Sequence, residues 1–165
     1  MFPLEPIHLE AAGVPRSLVE RYIEPLNAAM REFEITINER PPMFLAHTAH
    51  ESGGFRYVSE IWGPTPAQLR YPDGPEWKGH GLIQITHKSN HLAEAKYFGI
   101  PPSDIVRWLQ TPEGACRSAA HYWRSHGCNE AADAFDFVLV TKKINGGVNG
   151  LADRLARYNK ITAIA

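Results

Sequence analysis

The apolar positions of this chain fall into helical spacing over most of its length. From Pro15 to Phe33, the residues Leu18, Val19, Tyr22, Ile23, Leu26, Met30 and Phe33 recur every three or four positions, which predicts an amphipathic helix starting at Pro15. Pro25 removes a backbone donor inside it and predicts a kink or a break into two helices. Ile35 to Arg40 forms a connector. The run Phe44 to Glu51 then follows the double proline Pro41-Pro42 and meets Gly53-Gly54, a start and a stop for a second helix. Between Gly54 and Gly79 the period is lost to Trp62, Pro64, Pro66, Pro72, Gly74 and Pro75, which predict a long loop. Leu82 to Thr86 alternates over a short, glycine-flanked stretch, so it predicts a strand. From Ser89, the positions Leu92, Ala93, Ala95, Lys96 and Tyr97 predict a helix ended by Gly99. After a turn at Ile100-Pro101-Pro102, a short helix covers Ser103 to Leu109. Thr111-Pro112-Glu113 opens another that aligns Cys116, Ala119, Ala120 and Trp123 and stops at Gly127. Two last helices frame Asn145-Gly146-Gly147, the later from Leu151 to Ile164 with Leu151, Leu155, Tyr158 and Ile161 on one face. The expected class is mainly α, with one small strand or hairpin element.

Composition narrows this little further. A chain of 165 residues with 44% hydrophobic content suits one compact core, a single domain over 1–165. Seventeen basic and eighteen acidic residues leave a net charge of -1, so no nucleic-acid or anionic-membrane partner is expected. The basic concentration at Lys142, Lys143, Arg154, Arg157 and Lys160 reads as solvated surface. Met1 to Pro6 lacks the features of a secretory signal, and no run approaches a membrane span. The expectation is a cytoplasmic chain as made, with no membrane insertion. Cys116 and Cys128 read as reduced, buried residues.

Candidate chemistry gathers between Phe44 and Thr86. Glu51 falls on the last turn of its helix, where the terminal carbonyls disfavour an ionised carboxylate, a setting suited to a general acid. Glu60 falls in the loop, from which it can reach the same cleft from another side. Two carboxylates in unlike settings point to glycoside hydrolysis. Glu76, in the same Gly/Pro-rich stretch, is the alternative second acid. An extended Leu82 to Thr86 places Gln84 and Thr86 on one face and Ile83 and Ile85 on the other. Gly79 and Gly81 permit close backbone approach to a sugar, or serve a turn. Tyr57, Trp62, Tyr71 and Trp77 either stack on sugar rings or cap the core. His47, His50, His80, His87 and His91 show no complete metal-ligand spacing, and neither metal nor cofactor is expected.

Three runs carry a family likeness: Phe44-Leu45-Ala46-His47-Thr48-Ala49-His50-Glu51-Ser52-Gly53-Gly54-Phe55, Glu60 through Tyr71, and Gly79-His80-Gly81-Leu82-Ile83-Gln84-Ile85-Thr86. With Ile144-Asn145-Gly146-Gly147 and the later Asp153-Arg154, the chain resembles glycoside hydrolase family 19 from about Leu18 to Tyr158, and most of all its short phage endolysins. The resemblance implies a lysozyme-like fold, Glu51 as general acid and Glu60 as the general base that activates water. It implies that Gln84, Thr86 and Asn90 hold the substrate and position that water, that Asn145 contacts substrate, and that Arg154 stands near the acid. Tyr57 and Trp62 complete the candidate substrate-binding set. The implied mechanism is inverting, with the carboxyls roughly 6.5 to 9.5 Å apart.

The implied partner is the glycan of bacterial peptidoglycan, cut by a monomer that needs a separate holin-type factor to pass the membrane. Lys78 and His80 depart from the family by standing where arginines are common, and neither offers a planar bidentate fork. The loop from Tyr71 to Trp77 is short for the family. A lytic transglycosylase, a chitinase, a non-catalytic glycan-binding module and a zinc peptidase are the competing functions. Glu60 and the Asn145 element argue against the transglycosylase, which needs no second carboxylate.

Overall fold

The computed structural model describes residues 1–164. Nine α-helices occur among them: α1 Pro6–Ala11, α2 Arg16–Glu32, α3 Arg40–Glu51, α4 Lys88–Phe98, α5 Ile105–Leu109, α6 Pro112–Ser125, α7 Cys128–Asp133, α8 Phe137–Asn145 and α9 Leu151–Thr162. Single 3-10 turns lie at Gln68–Arg70, Pro75–Trp77 and Pro102–Asp104. The class is mainly α, as its periodicity predicts.

Helix α3 is the centre of the molecule. Every residue from Pro41 to Ala49 is buried, the state of a helix enclosed on all sides rather than lying on a surface. Helices α7 and α9 pack against it, while α2 packs on α6 and α1 bridges α2 and α9. Its buried polar side chains are satisfied within the chain. Thr48 Oγ1 donates to the Phe44 carbonyl at 2.8 Å. His47 Nδ1 lies 2.7 Å from the Met43 carbonyl and Nε2 2.9 Å from Thr141 Oγ1. Burial pushes the His47 imidazole down to about 3, so the ring is neutral, donating from Nδ1 and accepting at Nε2.

The predicted face of α6 is the wall of this core: Cys116, Ala119, Ala120 and Trp123 are all fully buried. Trp123 meets Phe44 edge-on at 5.3 Å, and its indole N–H donates to Asn129 Oδ1 at 2.8 Å. Cys116 and Cys128 are free and buried, and burial raises both thiols, that of Cys128 to about 12. A smaller cluster of Ile85, Ala95, Ile105 and Leu109, flanked by Trp77 and Trp108, binds α4 and α5 together. The long segment from Tyr57 to His87 runs between the two clusters.

Four expectations change. Helix α2 runs unbroken through Pro25, because Val19, Tyr22, Leu26 and Met30 stay in one buried stripe across it. Leu82 to Thr86 is not extended. His80 and Ile85 exchange backbone hydrogen bonds at 2.9 and 2.8 Å around a tight loop, with Gln84 at φ 61, and the only β character nearby is isolated bridging of His80 to Ser59 and to Ile85. Helix α6 stops ahead of the left-handed Gly127 as expected, but α7 after Gly127 and α1 ahead of the first predicted helix are additions to the expected set. The basic C-terminal residues are not uniformly solvated, since Arg154 is 1% exposed and Arg157 donates to Asp153 and to the Ala12 carbonyl. Among the described residues no helix is long and apolar enough to cross a membrane.

Candidate active site

Glu51 is the last residue of α3, and the chain turns away through Ser52, whose Oγ donates to the Thr48 carbonyl at 2.7 Å and accepts the Phe55 N–H at 2.9 Å. Gly53 and Gly54 follow at φ 59 and φ 73, the left-handed conformation that stops a helix. The helix end is only half of the Glu51 environment. Arg154, from α9, donates through Nη2 to Glu51 Oε1 at 2.5 Å and through Nε to the Asn149 carbonyl at 3.2 Å. Its Nη1 is buried without a protein partner among the described residues. The neighbouring residues repeat the pairing, with His50 Nδ1 2.7 Å from Asp153 Oδ2. Asp153 also accepts from Arg157, and these bonds, led by Arg157, hold its carboxyl below the usual carboxylate range.

Glu60 is held from three sides. Gln68 Nε2 donates to Oε2 at 2.7 Å, the Gly79 N–H donates to Oε1 at 2.9 Å, and the Tyr71 hydroxyl lies 3.1 Å from Oε2. Burial on its own raises this carboxyl, but the hydrogen bonds from Gln68, Gly79 and Tyr71, aided by Lys78, outweigh it and leave Glu60 below its ordinary value. Glu60 is therefore an ionised acceptor near neutral pH. Glu76 is exposed on the Pro75–Trp77 turn.

Gln84, Thr86 and Asn90 line one cavity of about 440 Å³, whose other walls include Ile83, Glu94, Tyr122, His126 and Ile144. The alternating-face argument for Gln84 and Thr86 does not hold, since Ile83 and Ile85 line the same cavity. The left-handed Gln84 instead folds its side chain under the loop. Its Nε2 donates to the carbonyls of Gly81 at 2.8 Å and Tyr57 at 3.2 Å. Thr86 Oγ1 donates to the Gln84 carbonyl and Asn90 Nδ2 to the Thr86 carbonyl, each at 2.9 Å. Both Gln84 amide protons and the Thr86 hydroxyl proton are thereby spent, leaving oxygen acceptors for a ligand. Burial, then Cys128 and the Glu51 carboxylate, raise the Tyr122 phenol on the cavity wall, while neither Glu51 nor Glu60 is among the residues that line it.

Other candidates are more peripheral. Asn145, the exposed last residue of α8, accepts the Asn149 N–H at 3.3 Å, which ties it to the carbonyl that Arg154 binds. Tyr57 is 48% exposed. Trp62 leans on Tyr71 at 5.8 Å, so it caps the Glu60 loop. Trp77 packs on His91 at 5.2 Å. His80 does not face the cleft: it is 2% exposed, with Nδ1 2.8 Å from His91 Nε2, and it pins the loop to α4. Gly79 and Gly81 are likewise explained by packing, because an added Cβ would meet the Gln84 side chain at 2.9 Å or Ser118 Oγ at 3.1 Å. Among the described residues no cluster of three or more His, Cys, Asp or Glu side chains is arranged for a metal ion.

Gln68, Tyr71, Glu94 and Tyr122 were not singled out for these roles by the sequence. Glu94 had a usable signal, since it stands one helical turn beyond Asn90 on the same face. Gln68 and Tyr71 had none, because their bonds to Glu60 depend on how an aperiodic loop closes.

No family model matches the chain. A Haemophilus influenzae glycosyl hydrolase family 19 domain-containing protein is 37% identical, over 72% of this chain and 76% of that protein. An Arabidopsis thaliana endochitinase is 35% identical over 62% of this chain, and Zea mays endochitinase B is 28% identical over 70%. The chain spans only 38% and 43% of those plant proteins. Chitinase C from Streptomyces griseus HUT6037 superimposes with a TM-score of 0.70 at 20% identity, over 96% of this chain and 74% of that one. The class IV family 19 chitinase from Zea mays gives 0.58 at 22% identity, over 94% and 77%. These structural likenesses establish the lysozyme-like fold, and the sequence identity to the bacterial relative over most of both chains establishes that this chain belongs to glycoside hydrolase family 19.

Proposed function

We propose that this family 19 glycoside hydrolase cleaves the glycan strands of bacterial peptidoglycan by a single inverting displacement, as an endolysin-type lytic enzyme. The observation that carries the reading is the contrast between the two carboxyls: Glu51 at a helix end with one oxygen engaged by Arg154, and Glu60 held ionised by three donors. Arg154 occupies Glu51 Oε1, so Oε2 is the oxygen that carries the proton to the glycosidic oxygen. As the bond from that oxygen to the anomeric carbon breaks, a water attacks the carbon from the opposite face and gives its proton to Glu60. Gln84, Thr86 and Asn90 offer acceptors to the sugar and to that water. Peptidoglycan is favoured because the relative matched over most of its length is bacterial, and peptidoglycan is the amino-sugar polymer of bacterial walls. The reading includes action as a monomer, delivered to the wall by a separate permeabilising factor.

Chitin is the second reading, favoured by the endochitinase relatives. Digestion of purified peptidoglycan and of N-acetylglucosamine oligosaccharides, read by mass spectrometry and rapid proton NMR, separates the two. The expected products are reducing ends from peptidoglycan, released with inverted anomeric configuration. Anhydro-muramic ends would mean that a sugar hydroxyl attacked in place of water, and cleavage of the chitin oligosaccharides alone would overturn the wall assignment.

A further inference from the structure

The cavity beside Gln84, which neither Glu51 nor Glu60 lines, contains a carboxylate of its own, Glu94, that the two-carboxylate mechanism leaves without a task. Glu94 is 9% exposed, yet it lines a space of about 440 Å³, within the range of sites that hold small ligands. A buried carboxyl is costly unless something requires it, and burial raises this one above its ordinary value. Its protein partner is His121, whose Nδ1 lies 3.1 and 3.2 Å from the two oxygens. One ring N–H shared between two oxygens leaves most of the acceptor capacity of the carboxylate unused.

The His121 ring cannot readily turn away. It stacks on Tyr97 at 3.7 Å with planes 14° apart, and Phe98 meets it edge-on at 5.5 Å. Glu94 is therefore held from behind, one turn along α4 from Asn90, with its free lone pairs available to the cavity. Gln84, which lines the same cavity, also presents an acceptor, because both of its amide protons are bound to backbone carbonyls. Asn90 keeps one amide proton free, and with the oxygens of Gln84, Thr86 and Glu94 around it the site is weighted toward acceptors and selects a ligand rich in donors.

We propose that Glu94 is a specificity-determining residue of the glycan cleft, accepting hydrogen bonds from two neighbouring donors of one sugar ring, hydroxyls or an acetamido N–H, with His121 as its positioning residue. The inference rests on the reading of this cavity as the glycan cleft. A pyranose carries such donors on adjacent carbons, spaced to meet the two oxygens of one carboxylate. Glu94 lies outside the acid–base pair, so its contribution belongs to binding rather than to the bond-breaking step.

The test is Glu94→Gln, which keeps the shape but turns one acceptor into a donor, assayed on whichever amino-sugar polymer the unmodified enzyme cleaves. The expected result is a KM raised roughly tenfold, the scale of one lost hydrogen bond to a charged group, with kcat changed less than about twofold and a shifted pattern of cleavage positions. His121→Phe, which keeps the stack but loses the donor, should raise KM in the same way, and His121→Asn should restore part of it. Unchanged KM and cleavage pattern in Glu94→Gln would overturn the proposal while leaving the hydrolase reading intact. An unmodified enzyme that cuts no amino-sugar polymer would instead remove the reading of the cleft. Should Glu94→Gln fail to fold, the Glu94 carboxyl carbon can be followed by NMR in the Glu51→Gln protein during titration with an oligosaccharide. A resonance that moves on saturation supports the contact, and one that stays fixed while the ligand binds overturns it.

Discussion

Removing the Gln68 side chain tests both the architecture of the Glu60 loop and the role of Glu60. Gln68 is 5% exposed and serves four groups: Nε2 donates to Glu60 and to the Ile61 carbonyl, and Oε1 accepts from the N–H groups of Gly63 and Thr65. The bond to the ionised carboxylate is worth about 1.5–3 kcal/mol and the three neutral bonds about 0.5–1.5 kcal/mol each. Gly63 and Thr65 are exposed and regain water in Gln68→Ala, so the net cost falls to about 2–4 kcal/mol. For a chain of this length that lowers the thermal midpoint by roughly 5–12 °C. The pH dependence carries a sign. Glu60 has a folded value below its unfolded one, so its contribution is fully present above the unfolded carboxylate value and is lost as pH falls through the folded value. The stability gap between Gln68→Ala and the unmodified protein should therefore be widest near neutrality and close in acid. If Glu60 is the general base, the acid limb of kcat/KM should also move upward in pH, because the substitution removes the strongest bond to the ionised form. Thermal unfolding and a pH–rate profile of glycan hydrolysis read the two effects. An acid limb that stays in place while the midpoint falls would show that Glu60 ionisation does not control the reaction.

Glu51→Gln should reduce glycan hydrolysis by about 10²–10⁴-fold in a turbidity assay, and its chemical unfolding should show only about 1–3 kcal/mol lost, since the amide oxygen still accepts from Arg154. Glu60→Gln should lose most activity and Glu76→Gln little; the reverse order would move the base to the Pro75–Trp77 turn. Exhaustive chelation should leave the rate unchanged, and a loss restored by added zinc would replace the carboxylate mechanism with a metal-dependent one.

Legibility in the sequence followed the range of the interactions involved. The ends of α3 could be read from Pro41-Pro42 and Gly53-Gly54 because caps and stops are local chemistry. The buried faces of α2, α6 and α9 could be read because a helix converts spacing into a stripe, and Cys116, Ala119, Ala120 and Trp123 fell where the spacing put them. Helices α1 and α7 span six residues each, too few for a period to emerge. The stretch Leu82 to Thr86 misled for a different reason. Its alternation is that of a strand, but the paired bonds between His80 and Ile85 require a reversal within it, and Gln84 takes the left-handed conformation that closes it. The carboxylates were visible from their neighbours in sequence, whereas Arg154, Gln68 and Glu94 owe their surroundings to bonds spanning 103, 8 and 27 positions. Only the first of these came within reach, through family resemblance.

The two carboxyls differ in what holds them, and that difference determines how the cleft can adjust. Glu51 is fixed by packed helices: it ends the fully buried α3, Arg154 reaches it from α9, and the adjoining pairs His50–Asp153 and Arg157–Asp153 continue to the Ala12 carbonyl at the end of α1. Glu60 is fixed by its own loop, since Gln68, Tyr71 and Gly79 all belong to the segment between the two core clusters. A displacement of that segment would carry the base and its donors together. It would change the distance between the carboxyls without removing the bonds that keep Glu60 ionised. If Glu51 is the acid and Glu60 the base, a rigid acid and a base that travels with its own donors would let the cleft admit a polymer and then narrow around it with the bonds to Glu60 kept. Native-state hydrogen exchange reads this division directly: amides of α3 should exchange only through global unfolding, while those from Glu60 to Gly79 should open locally. Equal protection in both would mean that the loop is as rigid as the helix, and that any change in cleft width must come from the helices themselves.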